Sequence, residues 1–376
     1  METLENVGII GFDNYITPQG YKYSVHEGEN VKLIKSEKYN TLFNKQTGFF
    51  LRWGEETTID PDYSLIGPEI ADIEISSGMC HNNCPFCYKG NKKDGKLHNM
   101  TLDEFKIIFD KLTKYRTLTQ IAFGITSPSD NPEFFEMMKY SKEHGVIPNY
   151  TCNGTDMTEE LAKITASLCG AIAISVNDKE KSYDSVKMLT DLGMKQVNFH
   201  VVAHNNSFDK IMGIIDDIKN DKRLEKLNAL VLLKYKPKGT NAGIYSSLTQ
   251  EQYNLIFKKA KEVGIPIGFD SCSCFSYLKA IEDEENYDLL SQYAEPCEST
   301  MFSIYVNSHC EVSPCSFSEN EIRDNGENWT SGINLLEIED FNKDVWFNDR
   351  IVHFRNNLLK NGRKCPMYDL DCNEGV

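Results

Sequence analysis

Cys80-His81-Asn82-Asn83-Cys84-Pro85-Phe86-Cys87 places three cysteines within eight residues, spaced C-x3-C-x2-C, with an aromatic residue directly before the last. Ahead of it, Ala71-Asp72-Ile73-Glu74-Ile75-Ser76 alternates apolar and polar side chains, the period of a half-buried strand. Behind it come Tyr88, Lys89 and Gly90, a polar run to residue 99, and then a helical pattern. The cysteines therefore lie in the loop after a strand, where enzymes built from β-α units keep their chemistry.

Soft thiolates suit iron, and a tight loop lets several converge on one iron–sulfur cube while polar backbone faces the sulfurs. Three local cysteines fall one short of a closed 4Fe–4S site, which leaves one iron open to an exchangeable ligand. A structural zinc site and cysteines that merely fill the core are the alternatives. Three thiols in eight residues beside Asn, His and Pro argue against core filling.

The stretch resembles the C-x3-C-x-aromatic-C signature of the radical S-adenosylmethionine (radical SAM) superfamily, with Phe86 in the aromatic place. That resemblance implies that Cys80, Cys84 and Cys87 hold a 4Fe–4S cluster whose open iron binds the amino and carboxylate groups of SAM. Reductive cleavage would then yield methionine and a 5′-deoxyadenosyl radical that abstracts a hydrogen atom. An electron donor such as a flavodoxin or ferredoxin is implied with it.

Length and charge narrow the class. The 376 residues are 40% hydrophobic, enough for a large core with smaller additions, and no apolar run approaches the roughly 18 residues of a membrane span. The N-terminus lacks the basic start and apolar block of a signal peptide. Twelve clustered cysteines in such a chain read as reduced metal ligands in a cytoplasm. A net charge of −16 disfavours general nucleic-acid binding, and the lysines at 89–96 and 234–238 read mainly as solvated loop residues.

Residues 1–70 show short strand patterns at 21–24, 31–34 and 49–53, a β-rich extension that either packs on the core or caps the substrate side. Strand and helix signals then alternate. Helices are expected over 101–112, 133–144, 158–168, 182–192, 208–219 and 248–263, each behind a strand. Six such units predict an α/β fold, a parallel sheet with outer helices curled as a full or partial barrel, and the resemblance implies the partial (β/α)6 barrel, over residues 71–265.

The family's secondary motifs map onto this alternation. Ile125-Thr126-Ser127-Pro128 stands where the family often has Gly-Gly-Glu-Pro. Ser127 takes the place of the acid that holds the SAM amino group, so backbone carbonyls with Thr126 or Ser127 would supply the acceptors. Ser175 and Asn177, two apart and on one face, fall where family members contact the SAM ribose. His200 and His204 near the fifth strand read as satisfied structural histidines.

From residue 266 the pattern changes. Cys272, Cys274, Cys297, Cys310, Cys315, Cys365 and Cys372 lie among short strands, a hairpin around Asn307-Ser308-His309 and a helix over 341–359. This resembles the C-terminal extension called SPASM, or its shorter form, twitch. The resemblance implies one auxiliary 4Fe–4S cluster on Cys272, Cys297, Cys315 and Cys365, with Cys274, Cys310 and Cys372 in reserve; a zinc site or buried thiols are the alternatives. Cys310 occupies the family's usual glycine position. Family members with such extensions commonly mature peptides, so the expected substrate is a peptide or protein side chain. A small metabolite, or a zinc-stabilised binding protein without catalysis, are the other readings.

Overall fold

The computed structural model describes residues 11–56, 59–82, 84–240, 242–320 and 332–370. Its centre is a run of parallel strands: β6 (Ile70–Glu74), β9 (Gln120–Gly124), β10 (Ile147–Cys152), β11 (Ile172–Ser175), β12 (Val197–Ala203) and β13 (Ala229–Lys234). Helices α1 (Leu102–Thr113), α2 (Phe134–Glu143), α3 (Glu159–Leu168), α4 (Lys179–Asp191), α5 (Phe208–Asn220) and α6 (Gln250–Val263) follow these strands in turn. The six expected β-α units are all present.

Local chemistry explains the alternation. Thr101 and Glu104 form a reciprocal capping box that starts α1, and Phe105, Ile108, Phe109 and Leu112 recur at helical spacing and are buried. Each such fully buried apolar side chain contributes about 1.5–3 kcal/mol. Along β6, Ala71 and Ile73 point into this core, so Asp72 and Glu74 share the opposite face.

The sheet does not stop after six strands. A short seventh parallel strand, β14 (Ile267–Phe269), pairs with β13 and ends the sheet with a free edge. At the other side β15 (Ser303–Val306) runs parallel to β6, and β16 (Glu311–Ser313) and β17 (Ile333–Asn334) continue it antiparallel. One ten-stranded sheet thus carries both cysteine-bearing regions.

The N-terminal extension is an antiparallel sheet of β1 (Asp13–Ile16), β2 (Lys22–Glu27), β3 (Val31–Lys35), β4 (Asn40–Asn44) and β5 (Phe50–Trp53). Its anchors are residues that precede barrel strands. Arg52 makes two 2.8 Å bonds to Glu69, just before β6, and Lys32 Nζ donates to Leu118 O at 2.7 Å, just before β9. Gln196, just before β12, donates to Thr47 O. The extension therefore packs under the N-terminal ends of the strands, opposite the mouth, and is no substrate-side cap.

The helix expected over 341–359 is interrupted. A wide π-type turn at Asn342–Trp346 is separated from α8 (Asp349–Lys360) by Asn348, whose side chain accepts from Arg350 N and caps the helix. The turn is fixed by Trp346 Nε1 donating to Ser64 O at 2.9 Å. Among the described residues no helix is long and apolar enough to cross a membrane.

Candidate functional site

The three clustered cysteines sit at the C-terminal mouth of the strands. Two short strands, β7 (Ser76–Ser77) and β8 (His98–Asn99), pair across the base of their loop, and Cys80 N donates to Lys92 O at 3.0 Å. The far side is held by the segment after β13. Thr240 N donates to Cys87 O at 3.0 Å, and Gly239, at φ +76°, lies so close that a Cβ would meet the carbonyl oxygens of Cys87 and Tyr88 at 2.3 and 2.4 Å.

Burial, then the neighbouring Cys87 and Cys80, pushes the Cys84 thiol up. The Cys84 thiol thus resists ionising unless a cation compensates it, as a bound metal would. None of the described cysteines forms a disulfide.

Thr126 and Ser127 follow β9, and Ser175 and Asn177 end or follow β11, all at the same end of the sheet as this loop. Asn177 Nδ2 donates to Cys84 Sγ at 3.5 Å, and Ser175, at the end of β11, lies in register with His200. Phe86 packs against the rings of His204 and Tyr245 at 5.4 and 6.5 Å. Ser127 Oγ donates to Asp156 Oδ2 at 2.9 Å, and Thr126 Oγ1 donates to Asp130. Two carboxylates therefore stand beside the position where the motif lacks its acid.

Lys210 was equally absent from the sequence reading. It lies in the first turn of α5, donates to Val176 O, and is held below the usual lysine range by burial while the nearby Cys84 opposes that shift. Asp130, Asp156 and Lys210 come from three different loops or helices. A carboxylate directly after the Asn153-Gly154-Thr155 turn was the only local signal for any of them.

The two histidines separate. His204 acts structurally, its Nδ1 accepting from Asn206 N at 3.3 Å. His200 does not match the expected satisfied histidine: its Nδ1 is buried without a hydrogen-bond partner, and burial pulls its pKa down to about 4. Asp72, on the face of β6 away from the helices, is pushed up to about 6 by burial alone.

A second group of cysteines lies in the C-terminal region. Cys272, Cys297 and Cys365 line a cavity of about 240 Å³ together with Phe275, Arg363 and Tyr368. Cys315 completes the group, being felt electrostatically by both Cys297 and Cys365. Burial, followed by Cys315, raises the Cys297 thiol to about 12. Lys236 is buried beside them, with Nζ 2.6 Å from Asp270 and hydrogen-bonded to Cys272.

The reserve cysteines fall elsewhere. Cys274 is fully buried at the start of α7 (Cys274–Ala280), where Glu295 and Arg363 are its charged neighbours. Cys310 is buried in the barrel core at φ +64°, the left-handed backbone that favours the family's glycine. Cys372 lies outside the described residues. Among the described residues no three His, Cys, Asp or Glu side chains are set around a lone metal ion.

The two groups are bound to each other. The Tyr88 ring, next to Cys87, lies 4.3 Å from that of Phe317, two residues after Cys315. Lys89 Nζ reaches Glu74 at 3.0 Å, Tyr305 OH at 2.8 Å and the Glu319 carboxylate. Lys238 Nζ donates to Phe317 O at 2.9 Å.

The fold has counterparts among known proteins. Residues 75–285 match the radical SAM superfamily. SuiB of Streptococcus suis, in a crystal structure with its precursor peptide SuiA, superposes with a TM-score of 0.65 at 13% identity, covering 88% of this chain and 90% of that one. The structure of anSMEcpe with bound AdoMet and Cp18Cys peptide superposes with a TM-score of 0.57 at 17% identity, covering 82% and 89%. A tungsten-containing aldehyde ferredoxin oxidoreductase cofactor-modifying protein of Pyrococcus furiosus is 34% identical over 97 residues. That match spans 26% of this chain and 27% of the relative.

Proposed function

This chain belongs to the radical SAM superfamily and is an enzyme of that class, and from that premise we propose that it modifies a peptide or protein side chain, using a SAM-binding 4Fe–4S cluster and one auxiliary 4Fe–4S cluster. The observation that carries the two-cluster reading is the gathering of Cys80, Cys84 and Cys87 at the barrel mouth and of Cys272, Cys297, Cys315 and Cys365 around a separate cavity. The peptide reading is supported by a fold shared over most of its length with SuiB, which was crystallised with a precursor peptide.

When bound, the first cluster and SAM supply the one-electron cleavage that generates a 5′-deoxyadenosyl radical. The chain's own residues bind and orient. Cys80, Cys84 and Cys87 would hold that cluster, and SAM would bind beside it. Asp130 and Asp156, held by Thr126 and Ser127, accept from the SAM ammonium, and Lys210 neutralises its carboxylate. Ser175 and Asn177 face the ribose, and Phe86 with His204 and Tyr245 shields the site from water.

Residues 1–70 are then a supporting extension, 71–265 the radical SAM core, and 266–376 a SPASM- or twitch-like auxiliary region. Four thiolates would make the auxiliary cluster closed, suited to electron transfer or to holding the region together. An external flavodoxin- or ferredoxin-like donor would supply electrons. A small-molecule substrate is the second reading, favoured by the partial match to a cofactor-modifying protein.

Anaerobic reconstitution with iron and sulfide, reduction and addition of SAM is the test. We expect about eight irons per chain from two four-iron cubes, and 5′-deoxyadenosine as product. About four irons in the unmutated chain would remove the auxiliary cluster from the account.

A further inference from the structure

The lysines at 234–238 read from the sequence as solvated loop residues, but the structure takes them out of solvent. Lys234 is 2% and Lys236 5% exposed, and Lys238 is half-buried. The segment that carries them leaves β13 and runs between the two cysteine groups. On one side Gly239 and Thr240 lie against the Cys87 carbonyl. On the other, Lys236 is hydrogen-bonded to Cys272, and its Nζ stands 4.5 Å over the ring of Phe317, two residues after Cys315. Its charge is felt at Cys365 as well. One buried ammonium thus acts on two of the cysteines assigned to the auxiliary cluster and packs beside a third.

Asp270 holds the ammonium in place. Its Oδ2 accepts from Lys236 Nζ at 2.6 Å, while its Oδ1 accepts from Lys234 N at 3.1 Å and from Ser273 Oγ at 2.7 Å. Asp270 therefore keeps two donors whether or not Lys236 is present. The other cations that line the cavity are placed differently. Arg363 is paired with Glu295, and Lys364 is exposed, where salt and water screen its charge. Lys236 is screened least and stands nearest a ligand sulfur.

We propose that Lys236 sets the reduction potential of the auxiliary cluster, by donating to the Cys272 sulfur a hydrogen bond that strengthens when the cluster is reduced. The assignment rests on the two-cluster reading above and adds to it a positioning residue with a defined electronic effect. Four thiolates already make such a cluster negative, and each added electron deepens that charge. A buried cationic donor therefore favours the reduced form over the oxidised one and raises the potential. Asp270 offsets part of the ammonium's charge, so the direct bond to sulfur carries the effect.

The test uses the full chain with Cys80→Ala, Cys84→Ala and Cys87→Ala, reconstituted anaerobically so that only the auxiliary cluster reports. Its potential is read from the electron paramagnetic resonance signal of the reduced cluster during titration with dithionite and redox mediators. Adding Lys236→Met should move the one-electron reduction equilibrium at least roughly tenfold toward the oxidised form, a fall of about 59 mV. Iron should stay at about four per chain. Lys236→Met with Asp270→Asn should remain below the parent potential, since the sulfur still lacks its donor. If Lys236→Met loads less iron, Lys236→Gln, which keeps a neutral N–H donor, is titrated in its place and should show a smaller fall. A shift under roughly twofold with iron retained would overturn the assignment and leave the two-cluster reading in place. Full recovery of the parent potential in the double variant would overturn it too, by tracing the fall to the bared charge of Asp270. Absence of iron from the parent chain would instead remove the auxiliary cluster on which the assignment rests.

Discussion

Replacing Lys89 with methionine tests whether the cysteine loop and the C-terminal region are held together by charge. Lys89 is the only ammonium bonded to both Glu74 and Glu319 among the described residues, and the three side chains are 13%, 8% and 15% exposed. Removing one partner of a buried pair costs about 3–5 kcal/mol, because the other charge is left uncompensated. Tyr305 OH still donates to Glu74 at 2.9 Å and Asn307 Nδ2 to Glu319 at 2.9 Å, which places the loss at the lower end, about 3 kcal/mol. Urea unfolding followed by circular dichroism measures it, and Glu74→Gln in the Lys89→Met background should restore part of the loss. The sign with pH follows from Glu319. Burial pushes its carboxyl up, but Lys89 and Asn307 outweigh burial and hold it below the ordinary range. Its contribution is therefore full above the unfolded-state pKa and fades as pH falls, so the gap between native and Lys89→Met narrows in acid. A loss under about 1 kcal/mol, or a gap independent of pH, would refute the reasoning.

Three further outcomes follow from single residues. Asp72 is raised to about 6 and His200 lowered to about 4, so between those values stability falls with rising pH on account of Asp72 and climbs on account of His200. Asp72→Asn should steepen the rise of stability with pH and His200→Gln should flatten it, each read from urea midpoints between about pH 4 and 6.5. Cys310→Gly exchanges a small buried thiol for relief of the left-handed backbone, so stability should change by no more than about 1 kcal/mol and iron content should stay at the native value. Asp156→Asn should weaken SAM binding by roughly tenfold or more, measured by equilibrium dialysis, while leaving methylthioadenosine, which lacks the amino acid, unaffected.

The barrel was legible because its elements keep their periods: α1 has its capping box and its apolar stripe, and β6 alternates cleanly. Strands β1 and β4 were missed because Asp13-Asn14 and the flanking Asn40 and Asn44 are residues depleted in strands, which pairing with β2 and β3 nevertheless fixes as strand. β14 is too short, at three residues with a central glycine, to announce itself. The site divided in the same way. Spacing singled out Cys80, Cys84 and Cys87, and the resemblance singled out the C-terminal cysteines that the fold draws around one cavity. The acids beside Ser127 and the lysine beside Cys84 could not, since separate loops bring them together only in the folded chain.

The measurement that bears most directly on the two-cluster account is iron content together with 5′-deoxyadenosine formation in a triple variant, Cys80→Ala, Cys84→Ala and Cys87→Ala, reconstituted anaerobically. The account predicts about four irons per chain, held by the C-terminal cysteines, and no cleavage of SAM. Continued SAM cleavage, or loss of all iron, would contradict it.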